Sequence, residues 1–389
     1  MVLYGLGTTI GAGIYALVGE LAGIAGYFAP LSFLLASLMA ALTAMSFAEL
    51  SGRFPRAAGA ALYVQEGFSA PRLAALTGML VIMAGLVSSA ALINGFVGYL
   101  NQFVDIGRLP AIILLAVLLG GVAAWGISTS VALAATITVI EISGLLIVIG
   151  VSVFNLPADV RLSMLLPTFT WSHWHPVFAG SLLAFYAFIG FEDMVDVAEE
   201  VKDVKRSLPK AILITLGITT LLYMAIMVTA VLAVPPERLA LAEAPLAFLY
   251  QHFTGRDAVL ISIIGLLAII NGALIQMIMA SRVMYGLSSR GQLPAVLGFV
   301  HPKTHTPVVA TLVVTGVVLF LALIGHLSIL AESTSFIMLG VFSMVNLALL
   351  HIKRRSPETV VSIRFPVAIP FLGFVVSFGF LLLTLFRSF

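Results

Sequence analysis

The sequence predicts an all-α membrane protein of about eleven transmembrane helices: two five-helix sets of opposite topology and one further helix, in a single domain over residues 1–389. Three observations predict it. The chain is 61% hydrophobic and only 9% charged, where soluble domains carry roughly 25% charged residues, and its mean hydropathy is +1.16. Apolar runs long enough to cross a bilayer, about 20 residues each, recur along the whole chain. Two of those runs, the first and the sixth, are interrupted at matching places.

The runs fall near 1–27, 30–50, 73–100, 110–127, 130–154, 176–198, 209–234, 258–281, 307–325, 330–351 and 366–386. The first is crowded with Gly5, Gly7, Thr8, Thr9, Gly11 and Gly13. Lipid offers no hydrogen bonds, so a break in a membrane helix survives only where protein buries it or a polar cavity adjoins it. A break is expected around Thr8 to Gly13. Runs two to five are continuous, and the fifth carries Glu141. The sixth loses its apolar character near Gly190, where Glu192, Asp193, Asp196, Glu199 and Glu200 follow. Runs six to ten form the second set, so one repeat covers about 1–154 and the other about 176–351, with 366–386 left over. Five crossings separate the two broken runs, which therefore enter from opposite sides. Interrupted helices at corresponding positions of two halves are the sequence mark of an inverted-repeat transporter site near mid-membrane. The alternative for the glycines of run one is close helix packing; the partner break in run six weighs against it.

Charge gives the orientation. With the N-terminus cytoplasmic, the inner connections hold fourteen basic residues: Arg53, Arg56, Arg72, Lys202, Lys205, Arg206, Lys210, Arg282, Arg290, Lys303, Lys353, Arg354, Arg355 and Arg364. The outer side holds five: Arg108, Arg161, Arg238, Arg256 and Arg387. That is the positive-inside bias. It predicts a multi-pass protein of the cell membrane with a cytoplasmic N-terminus and, for eleven spans, an external C-terminus.

Several function classes drop out. The net charge is +2, and no basic run interleaved with aromatics suggests a nucleic-acid partner. The chain has no cysteine, which removes disulfide and thiolate chemistry. The first run lacks a basic leader and no soluble domain follows it, so no cleavable signal is expected. His173, His175, His301 and His305 fall in loops and make weak metal signals; no metal or cofactor is implied. A membrane enzyme would need a catalytic constellation that is not present. A channel would need a continuous polar pore, where run one shows one localised break.

Four stretches carry a family resemblance: Ile10-Gly-Ala-Gly-Ile-Tyr15; Phe47-Ala-Glu-Leu-Ser-Gly-Arg-Phe-Pro-Arg-Ala-Ala-Gly59 with Tyr63 and Glu66; Phe188-Ile-Gly-Phe-Glu192 with Ala198-Glu-Glu-Val-Lys202 and Arg206-Ser-Leu-Pro209; and Ala280-Ser-Arg-Val-Met-Tyr285 through Arg290-Gly-Gln-Leu-Pro294 to His301-Pro-Lys-Thr-His-Thr-Pro307. In this order they resemble the amino acid–polyamine–organocation superfamily, in its bacterial amino acid permease branch. The resemblance implies the five-plus-five inverted-repeat fold with helices 1 and 6 broken, and secondary active transport of amino acids. The chain departs from the family at both ends. It starts close to the break, leaving about seven residues, roughly 11 Å, for the first half-helix, and it has one span fewer.

The break has a chemistry of its own. The first half-helix is expected to end near Thr8 and Thr9 with free carbonyls, and the second to begin near Gly11 with free amides. Helix N-termini favour a carboxylate, and unpaired carbonyls favour an ammonium. A zwitterionic amino acid presents both on one carbon. The predicted substrate contacts are Thr8, Thr9, Ile10, Gly11, Ala12, Gly13 and Ile14 from span 1, with Tyr186, Ala187, Phe188, Ile189 and Glu192 from span 6. The resemblance implies that the Gly11-Ala12-Gly13 amides take the carboxylate, that carbonyls of both spans take the amine, and that Tyr186 lies over the substrate. The aromatics of span 6 also fit plain helix packing. Glu192 could meet a cationic side chain or titrate during gating; capping the second half-helix is the preferred role.

Glu141 lies eleven residues into span 5, about 16 Å along a helix, where an ionisable group is a functional hypothesis by default. Relatives often place a lysine there; here a carboxylate stands in that frame. It is read as a proton carrier. A permanently protonated carboxyl bonded to a neighbouring helix and a sodium ligand are the alternatives. Glu49, Arg53, Arg56 and Glu66 are expected to form a cytoplasmic ion-pair network. Glu199, Glu200, Lys202, Lys205 and Arg206 should form a solvated end face. Asn271, Gln276 and Asn346 are expected to make interhelical hydrogen bonds.

Overall fold

The computed structural model describes residues 1–56, 59–104, 106–126, 131–156, 162–355 and 362–387; for Ala12, 131–134, Glu199, Glu200 and Arg387 it describes the backbone alone. Arg161, one of the outer charges, lies outside the described residues. The crossing helices are α1 (Val2–Ala25), α2 (Ala29–Arg53), α4 (Pro71–Leu100), α5 (Arg108–Trp125), α6 (Val131–Phe154), α7 (Trp171–Tyr186), α8 (Val204–Ala233), α11 (Val259–Ser289), α12 (Val308–Ile324), α13 (Leu327–Arg355) and α14 (Ala368–Arg387). By length and composition, nine stretches of the described residues can cross a membrane. One of them, Gly13–Arg53, holds two successive helices, and Val308–Ile324 adds a shorter apolar helix. These are the eleven expected spans. The fold is the all-α, five-plus-five inverted-repeat architecture with one added helix.

Three short α-helices also occur among the described residues: α3 (Gly59–Phe68), α9 (Pro236–Ala240) and α10 (Pro245–Thr254). At five to ten residues they fall below any bilayer-length window. α3 buries Ala60, Tyr63, Val64 and Gly67 against α13 and α4, while Gln65 and Glu66 face outward.

The two sets meet through corresponding helices. α1 packs on α7, α2 on α8, α4 on α11 and α5 on α12, so four of the five positions touch their counterparts. The core between them is aromatic. Phe47 packs edge-on against Phe191 (5.8 Å) and Phe342 (5.8 Å), and Tyr223 against Phe33 (5.5 Å) and Phe188 (5.2 Å). Such pairs contribute about 0.5–1.5 kcal/mol each beyond area burial. They fasten α2, α8 and α13 around the break in span 6. The outward faces of α5, α12 and α14 are apolar, with Leu114, Leu118, Phe320 and Phe371 exposed, as lipid requires.

The charged network at the end of α2 differs from expectation. Glu49 is wholly buried. One of its oxygens pairs with Arg53 at 2.8 Å and the other with Lys353 at 2.7 Å. The Phe365 N–H also donates to it at 3.0 Å, and Lys353 donates to the Phe365 carbonyl at 2.5 Å. Arg56 and Glu66 are exposed and stand outside it: Arg56 lies beyond the end of α2, and Glu66 is on the outer face of α3. Lys353 takes their place from α13. Lys202, Lys205 and Arg206 are solvent-facing as expected.

Candidate functional site

α1 is helical on both sides of Gly11, whose φ of −10° and ψ of −131° mark the break. The first half therefore continues past Thr8 and Thr9, a little further than expected. Both hydroxyls explain this, since Thr8 and Thr9 each donate back to the Gly5 carbonyl, at 3.0 and 2.8 Å, and hold that turn. In span 6, α7 ends at Tyr186, the chain turns, and Gly190 takes φ +123°. A 3₁₀ segment, Phe191–Glu200, follows.

The two breaks touch. Thr8 Oγ1 also lies 2.9 Å from the Gly190 carbonyl, so its one proton serves either Gly5 or Gly190 at a time. The Tyr223 hydroxyl of α8 stands 2.8 Å from the Thr9 carbonyl and 2.9 Å from the Ala187 carbonyl. The Thr9 carbonyl, expected to be free, thus has a partner. A phenol carries one proton, so it serves one of these two carbonyls at a time. Gly13 faces Ala187 so closely that a Cβ on it would lie 3.1 Å from the Ala187 Cα.

Beside this junction lies a small cavity lined by Thr8, Thr9, Gly13, Ser88, Leu92, Tyr186, Ile189, Gly272, Ile275 and Gln276. Of the predicted contacts, Thr8, Thr9, Gly13, Tyr186 and Ile189 line it. Gly11 and Ala187 flank it at the two breaks. Ile10 and Ile14 pack wholly within the core, and Phe188 is held against Phe33 and Tyr223. Only the backbone of Ala12 is described. Glu192 lines a second cavity, and its Oε2 accepts the Gly190 N–H at 2.9 Å. The remaining wall comes from α4 and α11, spans 3 and 8, on which side-chain preference is expected to depend but whose facing the sequence does not fix. Ser88, which shares a 3.0 Å hydrogen bond with the Tyr186 hydroxyl, and Gln276 were its only polar signals.

Glu141 lies apart from both cavities. It is wholly buried on α6, and neither carboxyl oxygen has a hydrogen-bond partner among the described residues. Asn271, Tyr15 and Tyr223 are its polar neighbours. Tyr15, just beyond the break in α1, donates to the Glu141 main-chain carbonyl at 2.6 Å. Asn346 makes the expected interhelical bonds: it donates to Thr43 at 2.9 Å and accepts from Ser46 at 2.6 Å. His173 and His175 begin α7 and do not sit in a loop, since the Thr168 N–H donates to His173 Nδ1 at 3.1 Å and secures that turn. Among the described residues no group of three side chains is arranged to hold a metal.

Bilayer-length helices, two of them broken and joined around an internal cavity, define a multi-pass membrane transporter of the inverted-repeat class. Comparison with known proteins makes the assignment specific. The amino acid permease family profile matches residues 2–388. The chain belongs to that family, within the amino acid–polyamine–organocation superfamily, a family of amino acid transport proteins and not of enzymes. It is 27% identical to the branched-chain amino acid permease BcaP of Bacillus subtilis, over 92% of this chain and 80% of that one. It is 25% identical to the methylthioribose transporter of the same organism, over 94% and 82%. To the mitochondrial cationic amino acid transporter 3 of Arabidopsis thaliana it is 29% identical over 92% of its own length, spanning 62% of that relative.

Proposed function

We propose that this protein moves amino acids across the cell membrane by alternating access, with its N-terminus cytoplasmic, as a proton-coupled symporter. The observation that carries the reading is the joining of the two breaks by Thr8 and Gly190 beside a cavity lined by Thr8, Thr9, Gly13, Tyr186 and Ile189. The α-carboxylate meets the start of the second half of α1 at Gly11, Ala12 and Gly13. The α-ammonium meets the carbonyls of the breaks. Tyr223 supports this division, because its single proton leaves either the Thr9 or the Ala187 carbonyl open to a second donor. Tyr186 closes over the substrate. The two repeats, about 1–154 and 176–351, rock against each other around this point.

Glu141 carries the proton. A carboxyl is cheap to bury when neutral and needs water or a cation when ionised. Two unpartnered oxygens in a sealed site suit a group that changes state only when one side of the protein opens. The same two oxygens also fit a sodium ion, which makes sodium symport the second reading; exchange without an ion is the third. Counterflow of radiolabelled amino acids into proteoliposomes tests the transport reading. Accumulation driven by an imposed proton gradient, or only by a sodium gradient, separates the coupling modes.

A further inference from the structure

Past the break in span 6 a second cavity adjoins the first and shares Ser88, Ile189 and Gln276 with it. Three carboxyl side chains line it: Glu192, Asp193 and Asp196. Glu192 is accounted for by its bond from the Gly190 N–H. Asp193 is only 5% exposed. One of its oxygens takes a single long contact, 3.3 Å, from Gln276 Nε2, and the other has no hydrogen-bond partner among the described residues. Asp196 is partly exposed and has no hydrogen-bond partner among them. Both ion pairs of the described residues belong to Glu49, so no cation among the described residues pairs with these acids. Buried charges are otherwise paired, and ionisable groups at membrane depth mark substrate or ion pathways.

The rest of the lining has a different character. Val81, Met279, Val283 and Met338 give it apolar walls, and methionine adapts to chains of varied shape. A long cationic side chain has just this division, with a hydrocarbon stem that packs on apolar surface and a charged head that seeks polar partners. An amino acid with its α-carbon at the junction of the breaks would pass its side chain by Ser88, Ile189 and Gln276, the residues common to both cavities, toward Asp193 and Asp196.

We infer that the substrate is an amino acid whose side chain ends in an ammonium or guanidinium group, held by Asp193 and Asp196; this rests on the amino acid transport reading above. The test is counterflow into proteoliposomes with labelled lysine, competed by unlabelled lysine, arginine and norleucine, the last matching the lysine stem without its charge. Lysine and arginine should compete at concentrations about tenfold or more below norleucine, the scale of a charge-assisted hydrogen bond. Asp193→Asn and Asp196→Asn should weaken lysine by a similar factor and leave norleucine unchanged. Norleucine competing as well as lysine in the unmodified protein overturns the inference, and that comparison stands even where a variant does not fold. Counterflow of leucine or norleucine but not lysine also overturns it, while leaving the transport reading intact. Counterflow of no amino acid at all overturns both.

Discussion

Thr8 and Gly190 stand 182 residues apart in sequence and share a 2.9 Å hydrogen bond, hydroxyl to carbonyl. The contact is reciprocal in shape. A Cβ built on Gly190 would lie 2.2 Å from the Thr8 carbonyl oxygen. One break is thus moulded to the other, and the site lies where both helices stop being helical.

Gly190→Ala should therefore disable transport. The new methyl would strike backbone and not a yielding side chain, and φ +123° costs a non-glycine residue about 1–3 kcal/mol in itself. Uptake should fall at least about tenfold with protein still present in the membrane. Unchanged uptake kinetics would show that the two breaks need not touch.

Thr8→Val keeps the shape and deletes the hydroxyl, leaving the Gly190 carbonyl without its donor at a cost of about 0.5–1.5 kcal/mol. Transport should slow, and Thr8→Ser should restore it. Equal rates for the Val and Ser variants would assign the hydroxyl only to its local bond with Gly5.

Glu141→Gln mimics the protonated carboxyl. Substrate binding and exchange should persist, while accumulation under an inward proton gradient disappears. In the unmodified protein, accumulation should grow as the outer side is made more acidic, because protonation there loads the carrier. Retained concentrative uptake in the Gln variant would move the proton to another residue; a requirement for sodium would recast Glu141 as a cation ligand.

Glu49→Gln should cost stability before function. It leaves Arg53 and Lys353 buried without their anion, and breaking a buried pair costs about 3–5 kcal/mol. The melting temperature in detergent should drop well below that of the unmodified protein. An unshifted transition would mean that water reaches this network.

Orientation has a direct test, because the chain has no cysteine of its own. Arg238→Cys and Lys303→Cys place single thiols at exposed positions. In intact cells a membrane-impermeant maleimide should label the first and spare the second. The reverse pattern would invert the topology.

The breaks were legible because they violate their surroundings: Thr8, Thr9, Gly11 and Gly13 in one apolar run, and Glu192 and Asp193 in another. The spans were legible from hydropathy alone. What escaped has physical reasons. α9 and α10 are too short to cross a bilayer. The wall from α4 and α11 was hidden because a membrane helix is apolar toward lipid and toward protein alike, so no periodicity shows which face holds Ser88 or Gln276. Tyr223 looks like any aromatic in a hydrophobic helix until its hydroxyl is seen between Thr9 and Ala187. Lys353 was misplaced for a similar reason: its charge counted toward orientation, but only tertiary packing brings it to Glu49.

The central claim is that the joined breaks read both charges on the α-carbon of an amino acid. Counterflow of one transported amino acid, competed by the same compound as its carboxamide and as its N-acetyl derivative, tests this most directly. The account predicts that the parent competes at a concentration about tenfold or more below either derivative, since the amide has lost the carboxylate and the acetyl compound the ammonium. Competition by both derivatives on a par with the parent would contradict it.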